Sequence, residues 1–215
     1  MAKSTIKFTR TREVQLPTRG HAHDAGIDFF VPTFDPAFMD LLKKKNPDLF
    51  DQPNQQYLIG SGSGQLTISG GCDQSSVNFD LSDDNNSPVK FDDDKGLNYI
   101  LLPPMARVNI PSGVYCQMEE EGRALITHNK SGIASKQGLV FGAQVVDFEY
   151  QGEIHLNVIN TSSKVVRIYA GQKLLQFIEI PIYTSKIEEV KSLQDLYEGE
   201  TSRKDGGFGS TDKEE

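Results

Sequence analysis

The sequence predicts an all-β fold, a sandwich or a barrel. Short runs rich in Val, Ile, Leu and Phe recur between residues 99 and 183, with turn signals at roughly eight- to twelve-residue spacing. Glycine (19) and proline (10) are frequent, as expected of a chain of strands and turns. Residues 155–160 (HLNVIN) alternate cleanly, so that Leu156, Val158 and Asn160 share one face. With 37% hydrophobic residues, the 215-residue chain can bury a core, and this rhythm is typical of all-β domains.

The predicted strands follow one another along the chain. Two come first, at STIKFTRT and DAGIDFFVP, and the later ones are YILLPP, ARVNIPSGVY, RALITH, GLVFGAQVVDF, EIHLNVIN and VVRIYAGQKLLQFIEIPI. Residues 184–202 predict a short polar helix or a loop, and a glycine-rich tail follows. We therefore expect one discontinuous β domain, formed by residues 1–33 and 99–202, and a flexible C-terminal arm at 203–215.

The region 34–98 differs in residue composition and spacing from the predicted strands around it. Its first part predicts a short helix, because Phe38, Leu41 and Leu42 recur at helical spacing. Small polar residues and then acidic stretches (SDDNN, KFDDDK) follow. The flanking strand patterns need nothing from this region, so it is predicted to be an insertion of unknown role. Its carboxylates suit a hard cation but lack the spaced ligands of a calcium loop, and a solvated surface is the favoured interpretation.

Charge and cysteine content narrow the classes of partner. The formal net charge of −8 disfavours a general nucleic-acid surface and leaves room for a local basic pocket. Cys72 and Cys116 form neither a disulfide framework nor a CxxC pair, which favours a reducing, intracellular compartment. The N-terminal stretch lacks an apolar signal core, and no apolar run could span a membrane. We expect a cytoplasmic protein without stable nucleic-acid or membrane binding.

Three polar residues lie in or beside apolar strand patterns. Asp147 ends an apolar run and precedes a turn (EYQG) with Tyr150, which predicts a hairpin to the next strand. Such a carboxylate can act as a general base beside a held water, although aspartate at this position is more often a simple turn residue. Asp28 lies inside an apolar strand, where it must be paired, metal-bound or hydrogen-bonded. Gln176 is embedded among apolar residues, where a strand-fixing hydrogen bond is the plainer interpretation.

Two further stretches suit an anionic ligand. Lys130, Ser131 and Gly132 place a cation, a hydroxyl and an accessible main-chain amide together, without the GxxxxGK[ST] pattern of a P-loop. The tail RKDGGFGST offers a cation, a flexible hinge, an aromatic ring and hydroxyls. Each stretch on its own is also compatible with an ordinary loop or a frayed terminus.

Taken in order, five stretches resemble the five motifs of the homotrimeric dUTPase family: DAGIDFF, NKSGIASKQGL, GAQVVDFEYQGEI, GQKLLQFIEIPI and RKDGGFGST. The linking LLPPMARVNIPSGVY is also similar to that family, and the resemblance covers roughly residues 5–33 and 99–211. It implies a distorted jelly-roll β-barrel and a homotrimer whose three active sites are each built from all three subunits. It implies Mg²⁺-assisted hydrolysis of dUTP to dUMP and pyrophosphate, which limits uracil in DNA and supplies dUMP for thymidylate synthesis.

The resemblance also implies roles for individual residues. Asp147 would be the general base that orients a water for in-line attack on the α-phosphorus. Asp28 would support Mg²⁺ through water, with the ion held mainly by the substrate phosphates. Gln176 would contact the α-phosphate or the attacking water. Phosphate contacts would come from the second motif, from Lys130, Ser131 and Gly132.

The remaining implied contacts concern the nucleoside and the arm. Tyr150 would pack against the deoxyribose and exclude a 2′-hydroxyl. The hairpin over residues 144–155, with Gln144 and His155 at its ends, would hold uracil through main-chain groups. The arm would close over the nucleotide: the residues implied are Arg203 on the terminal phosphates, Phe208 on uracil, Gly209 for close approach, and Ser210 and Thr211 on the γ-phosphate.

Departures from the family pattern leave alternatives open. Lys130 stands where the family usually has arginine, Asn129 where it has proline, and Gln144 where it has glycine; the insertion is familiar in phage-encoded members. A dCTP deaminase on the same fold is disfavoured, because its second motif is SSxAR and its base is a glutamate. A nucleotide-switched binding or regulatory protein is the third hypothesis, with region 34–98 as the surface for an unknown protein partner.

Overall fold

The computed structural model describes residues 5–50, 88–197 and 199. The strands within these residues are β1 (Ile6–Arg10), β2 (Ile27–Phe30), β3 (Val89–Asp92), β4 (Leu97–Leu102), β5 (Arg107–Pro111), β6 (Val114–Met118), β7 (Arg123–Asn129), β8 (Leu139–Phe141), β9 (Val145–Asp147), β10 (His155–Asn160), β11 (Val166–Tyr169) and β12 (Lys173–Pro181). The helices are α1 (Pro36–Lys45), α2 (Pro47–Phe50), α3 (Ser131–Gln137) and α4 (Leu193–Leu196). The chain divides into two compact units between Ile182 and Tyr183, and all the strands belong to the first.

The strands pair antiparallel in four sheets around one hydrophobic core. Their orders are β2-β12-β7-β9, β5-β10-β8, β11-β4-β3 and β1-β6. The predicted alternation in β10 is confirmed, because Leu156, Val158 and Asn160 are buried and the residues between them are only partly covered. In the core, the rings of Phe29 and Phe177 lie 4.4 Å apart between centroids. The all-β prediction is therefore confirmed.

The predicted hairpin after Asp147 does not form as a paired ladder. β9 pairs with β7, whereas β10 pairs with β5 on one edge and β8 on the other. Because both edges of β10 are occupied, no edge remains for β9, and the two strands belong to different sheets. Residues 148–154 therefore bridge two sheets as a loop.

The helix expected near Phe38 forms as α1. Asp35 caps it, accepting a hydrogen bond from the Phe38 amide at 2.8 Å, and Pro36 occupies its first turn. Phe38 and Leu42, one turn apart, are buried in the main core. After the helix, Asn46 hydrogen-bonds both the N–H and the C=O of Asn109 on β5, at 2.7 and 2.9 Å.

Residues 34–50 are therefore integrated into the β unit. The division of the chain at residue 34 stays a prediction, but a deletion starting there would remove two fully buried side chains, Phe38 and Leu42. Losses of that kind typically cost about 2–5 kcal/mol each.

The second unit begins at Tyr183, and its described part carries the short helix α4. Ser192 caps α4 by accepting from the Asp195 amide, in line with the short polar helix or loop expected there. Among the described residues, no helix is both long enough and apolar enough to cross a membrane.

Candidate active site

A buried carboxylate between two lysines forms the centre of the site. β12 lies between β2 and β7, and its register places Gln176 beside Asp28 on β2. Asp28 is only 5% exposed. One of its oxygens accepts a hydrogen bond from Lys130 Nζ, and the other lies 3.1 Å from Lys173 Nζ. The strand register thus brings together three motifs that are far apart in the sequence.

The two lysines keep Asp28 ionised. Burial acts on Asp28 most strongly and raises its pKa, because a carboxylate loses hydration inside the protein. The hydrogen bonds and charges of Lys130 and Lys173 together outweigh burial and leave the pKa below its ordinary value of 3.8. In return, the carboxylate fixes two flexible ammonium groups at one point, where they can meet an anion.

Gln176 is held rigidly beside this centre. Its Nε2 donates to the Asn129 carbonyl at 2.8 Å, which ties β12 to the start of the Lys130 loop. On the other side lies Gly26, where a Cβ atom would come within 2.0 Å of Gln176 Oε1. Glycine at position 26 therefore provides the space that this side chain occupies.

Two adjoining grooves open onto the centre. The first, of about 410 Å³, lies between loop residues including His21 and Asp24 and the group Asp28, Lys130 and Gln176. The second, of about 520 Å³, is lined by Ser131, Gly132, Lys136 and Lys173 and shares Lys130 and Gln176 with the first. The ammonium groups of Lys130, Lys136 and Lys173 and the start of α3 therefore lie around the second groove, and this charge suits a ligand with several phosphates.

Lys173 and Lys136 are members of this site that sequence reasoning missed. Along a regular strand, Lys173 and Gln176 would point to opposite faces, because side chains alternate. A register shift between Lys173 and Leu175 breaks that alternation and lets both reach Asp28 and the groove. Lys136 lies on α3 just after Ser131 and Gly132, and only the helix brings it back to the groove.

Asp147 and Tyr150 lie apart from this centre within one chain. Asp147 ends β9 opposite Ala124, four residues along β7 from His128, the neighbour of Gln176. That separation corresponds to about 13 Å of strand. Asp147 is exposed, Tyr150 is 43% exposed, and neither lines the two grooves.

The loop that carries Tyr150 is nevertheless well defined. The Tyr150 amide donates to the Asp147 carbonyl at 3.1 Å and closes a turn over residues 147–150, two residues earlier than the predicted EYQG turn. The Tyr150 hydroxyl donates to the Glu153 carbonyl at 2.9 Å, and the ring covers Gly152, where a Cβ would meet it at 2.3 Å. At the other end, the Gln144 side chain is exposed while its carbonyl accepts from the Thr127 amide at 2.8 Å.

His155, at the start of β10, is half-buried. Its Nδ1 lies 3.0 Å from the Glu153 carbonyl, and its buried Nε2 has no hydrogen-bond partner among the described residues. Burial lowers the pKa of His155; Glu153 opposes this shift, and the positive charges of Lys45 and Arg12 add to it. The site roles expected for Gln144 and His155 stay predictions.

Part of the expected site falls outside the described residues. The arm residues concerned are Arg203, Phe208, Gly209, Ser210 and Thr211. Within the described ranges, no cluster of three or more His, Cys, Asp or Glu side chains could hold a metal ion. Both Asp28 oxygens are taken by lysines, so the described chain offers no metal cage of its own.

These features define a class: an antiparallel β protein with a lysine-lined groove. A family model described as dUTPase matches residues 95–212. The deoxyuridine 5′-triphosphate nucleotidohydrolase of Hydrogenobaculum sp. (strain Y04AAS1) is 33% identical over 114 residues, which cover 52% of this chain and 75% of that enzyme. The enzyme of the same name from Clostridium novyi (strain NT) is 36% identical over 114 residues, covering 52% and 76%. The chain belongs to the dUTPase family.

Solved structures of phage dUTPases share the fold. A mutant of the phage 80alpha dUTPase superposes with a TM-score of 0.56 at 17% identity, covering 98% of this chain and 99% of that one. The dUTPase from phage phi11 of S. aureus gives a TM-score of 0.51 at 16% identity, covering 88% and 98%. At these identities the likeness concerns the fold alone, and it confirms the jelly-roll β fold expected from the resemblance.

Proposed function

We propose that the protein is a dUTP diphosphatase that hydrolyses dUTP to dUMP and pyrophosphate in the cytoplasm. This reaction limits uracil in DNA and supplies dUMP for thymidylate synthesis. The observation that carries the proposal is the buried Asp28, which lines the first groove and pairs with Lys130 and Lys173 of the second, in a chain of the dUTPase family.

The groove supplies the phosphate contacts. Lys130 and Lys173, oriented by Asp28, meet the negative oxygens, and the amides and hydroxyl of Ser131 and Gly132 donate to them. Gln176, fixed by the Asn129 carbonyl, keeps its own oxygen and remaining N–H available for the α-phosphate or the attacking water.

Asp147 serves as the general base. It accepts a proton from a water molecule whose oxygen attacks the α-phosphorus in line with the bridging oxygen to the β-phosphate. The bond to that bridging oxygen breaks, its electron pair leaves with pyrophosphate, and dUMP retains the new oxygen. Charge on the leaving group is met by the lysines of the groove.

The loop between Asp147 and β10 recognises the nucleoside. Tyr150 packs against the deoxyribose and leaves no room for a 2′-hydroxyl. Residues 144–155, from Gln144 to His155, bind uracil largely through main-chain groups. The half-exposed ring of Tyr150 supports this role, because a large aromatic surface is left available for a ligand.

The active site is completed by three subunits. Asp147 lies about 13 Å of strand from His128, the neighbour of Gln176, and neither Asp147 nor Tyr150 lines the two grooves, which supports a site shared across a homotrimer. The arm of another subunit supplies the lid. Its contacts are Arg203 on the terminal phosphates, Phe208 on the uracil, Gly209 at close approach, and Ser210 and Thr211 on the γ-phosphate.

Mg²⁺ fits this site as an ion brought by the substrate. Mg²⁺ keeps several waters and is commonly bound through one or two carboxylates and substrate phosphates. Asp28 would hold it through water, and the bound ion would neutralise triphosphate charge. A structural Mg(II) ion is a feature of the phage phi11 dUTPase, which shares the fold.

Pyrophosphate release from dUTP, UTP, dTTP and dCTP, measured side by side with free ammonia, tests the proposal. We expect rapid pyrophosphate release from dUTP alone and no ammonia from any nucleotide. Ammonia from dCTP would instead establish a deaminase. Tight dUTP binding without turnover would favour the nucleotide-switched binding protein, in which region 34–98 engages a protein partner.

Mixing inactive variants tests the shared site. Asp147→Asn and Lys130→Met are each expected to be inactive as homotrimers. If their defects lie on different subunits of one site, unfolding and refolding them together restores roughly a quarter of the sites. No recovery, although an affinity tag on one variant co-purifies the other and so shows mixed trimers, would place both residues in a single-chain site. Truncation after Ser202 is expected to spare the trimer and remove most activity.

A further inference from the structure

A largely buried ion pair joins Arg12 to Glu153 in the loop of residues 148–154. Arg12 NH1 is 2.8 Å from Glu153 Oε1, and NH2 is 3.4 Å from Oε2, so the guanidinium faces the carboxylate with two nitrogens. The two side chains are only 11% and 14% exposed. A two-pronged pair shielded from water is geometrically demanding, and it positions its partners better than an exposed pair does.

The pair is anchored on both sides. Arg12 also donates to the Pro111 carbonyl at 2.9 Å, and Glu153 Oε1 accepts from the Gly113 amide at 2.6 Å. Gly113 has a φ of +75°, and a Cβ there would come within 2.3 Å of Arg12 Cγ. The turn after β5 is thus shaped to receive this arginine, and its main chain holds Glu153 in place.

Helix α1 covers the arginine from the other side. The Arg12 guanidinium carbon lies 5.9 Å from the centre of the Phe38 ring, and Phe38 is itself buried in the core. Arg12 and Phe38 both lie outside residues 95–212, the segment matched by the family model. Part of the support for this loop therefore comes from residues beyond the matched segment.

Glu153 transmits this support to Tyr150. Its main-chain carbonyl accepts the Tyr150 hydroxyl at 2.9 Å and lies 3.0 Å from His155 Nδ1. The next residue, Ile154, is fixed by its amide to the Val114 carbonyl at 2.9 Å and by its carbonyl to the Ser112 hydroxyl at 2.5 Å. One residue therefore carries both the ion pair and the acceptor that orients the tyrosine ring.

We propose that Arg12 and Glu153 are positioning residues that hold residues 148–154, and with them Tyr150, in the conformation that discriminates deoxyribose from ribose. The sugar-discrimination part rests on the proposed function. The two side chains act through the loop and not by contact with the substrate, and Phe38 on α1 keeps Arg12 in place. Without the pair, the Glu153 carbonyl that orients Tyr150 can move. The Tyr150 ring then no longer excludes a 2′-hydroxyl.

The test compares Arg12→Gln, Glu153→Gln and the double variant with wild type, with kcat/KM measured for dUTP and UTP. Each single variant is expected to lower the ratio of kcat/KM for dUTP to kcat/KM for UTP about tenfold. The double variant should lower it no further, because both changes remove the same ion pair. Tyr150→Phe, which removes the donor to Glu153, is expected to shift the ratio in the same direction. The matched control is Arg10→Gln, which loses a hydrogen bond to the Val14 carbonyl and should leave the ratio unchanged.

A second readout separates this proposal from the enzymatic one. Limited proteolysis without nucleotide is expected to cut within 148–154 faster in both single variants than in wild type or in Arg10→Gln. If wild type releases no pyrophosphate from dUTP, the proposed function fails, and the proteolysis result alone decides whether the pair holds the loop. An unchanged cleavage rate together with an unchanged ratio overturns the proposal. If Arg12→Gln does not fold, Arg12→Lys keeps the charge, loses the two-pronged contact and is expected to show the same effects more weakly.

Discussion

The lysine centre and the Asp147 loop differ in how the chain builds them. Asp28, Lys130 and Gln176 converge because β12 is paired on both edges, so register alone brings them together. Asp147 ends a three-residue edge strand, and Tyr150 lies on a loop that bridges two sheets. The charged groups of the lysine centre meet within one chain. Asp147 and Tyr150, in contrast, are exposed at the surface.

Under the proposed function, this difference corresponds to a division between phosphate binding and catalysis. The centre holds fixed charge in a partly buried place, which suits capture of a polyphosphate. The loop exposes a carboxylate and an aromatic ring, which suit reaction and nucleoside recognition once a second surface is present. Changes in the centre should therefore affect stability and affinity, and changes in the loop should affect turnover and selectivity.

The largest expected effect concerns the catalytic step alone. Asp147→Asn should lower kcat by a factor of about 10³ or more and leave dUTP binding nearly unchanged, since the amide cannot accept the water proton. Steady-state pyrophosphate release and calorimetric binding measure the two quantities. The neighbouring exposed Glu149→Gln serves as the control and should retain turnover. Near-normal turnover of Asp147→Asn would remove Asp147 from the mechanism.

The second-largest effect concerns the lysine centre around Asp28. Asp28→Asn leaves Lys130 and Lys173 close together without their shared carboxylate, and should lower the free energy of unfolding by about 2 kcal/mol. Chemical denaturation measures it. Because the folded pKa of Asp28 lies below 3.8, its contribution is complete above that pH and is lost as the pH falls further. Asp48→Asn, which breaks a well-exposed pair with Arg107, should change the unfolding free energy by less than about 0.5 kcal/mol.

A smaller effect concerns pH and the end of the loop. The folded pKa of His155 lies below 6.5, so the unfolded chain binds a proton more readily and stability falls as the pH drops below that value. His155→Gln should flatten the dependence of melting temperature on pH between about 5 and about 7. His23→Gln, at an exposed histidine, should not. Equal slopes for wild type and His155→Gln would contradict the assignment.

The smallest effect is expected at Gln144, the first residue of the segment 144–155. Gln144→Gly introduces the residue usual in the family at a position whose side chain is exposed and whose carbonyl pairs with Thr127. We expect kcat/KM for dUTP to change by no more than about twofold, since the main-chain contact is preserved. A large gain with dUTP or dTTP would show that the Gln144 side chain reaches the pocket.

The strands were largely predictable, because alternation and turn residues are local signals. The buried faces of β10 and α1 follow directly from the spacing of Leu156 and Val158 and of Phe38 and Leu42. The partition of β9 and β10 into different sheets was not predictable in this way. It depends on which strand occupies each edge of β10, and that choice is made by long-range pairing.

The sequence allowed several residues of the site to be predicted, such as Asp28, but not all of them. Asp28 stood out because a carboxylate in an apolar strand needs a partner, yet nothing local names Lys173 as that partner. A break in strand alternation places Lys173 there, and such a break leaves no reliable mark in a single sequence. Arg12 and Glu153 escaped notice for a similar reason, since their pairing joins positions 141 residues apart.

The space beside Gln176 also has an evolutionary consequence. Residue 26 does not have the positive φ that demands glycine, so its restriction comes from the crowded Gln176 side chain. A saturation library at position 26 should therefore return glycine as long as Gln176 is present. Shortening Gln176 to alanine should make Gly26→Ala structurally acceptable, although the enzyme would then lack its amide. The history of one position is thus conditional on the other, and the pair is expected to change together or not at all.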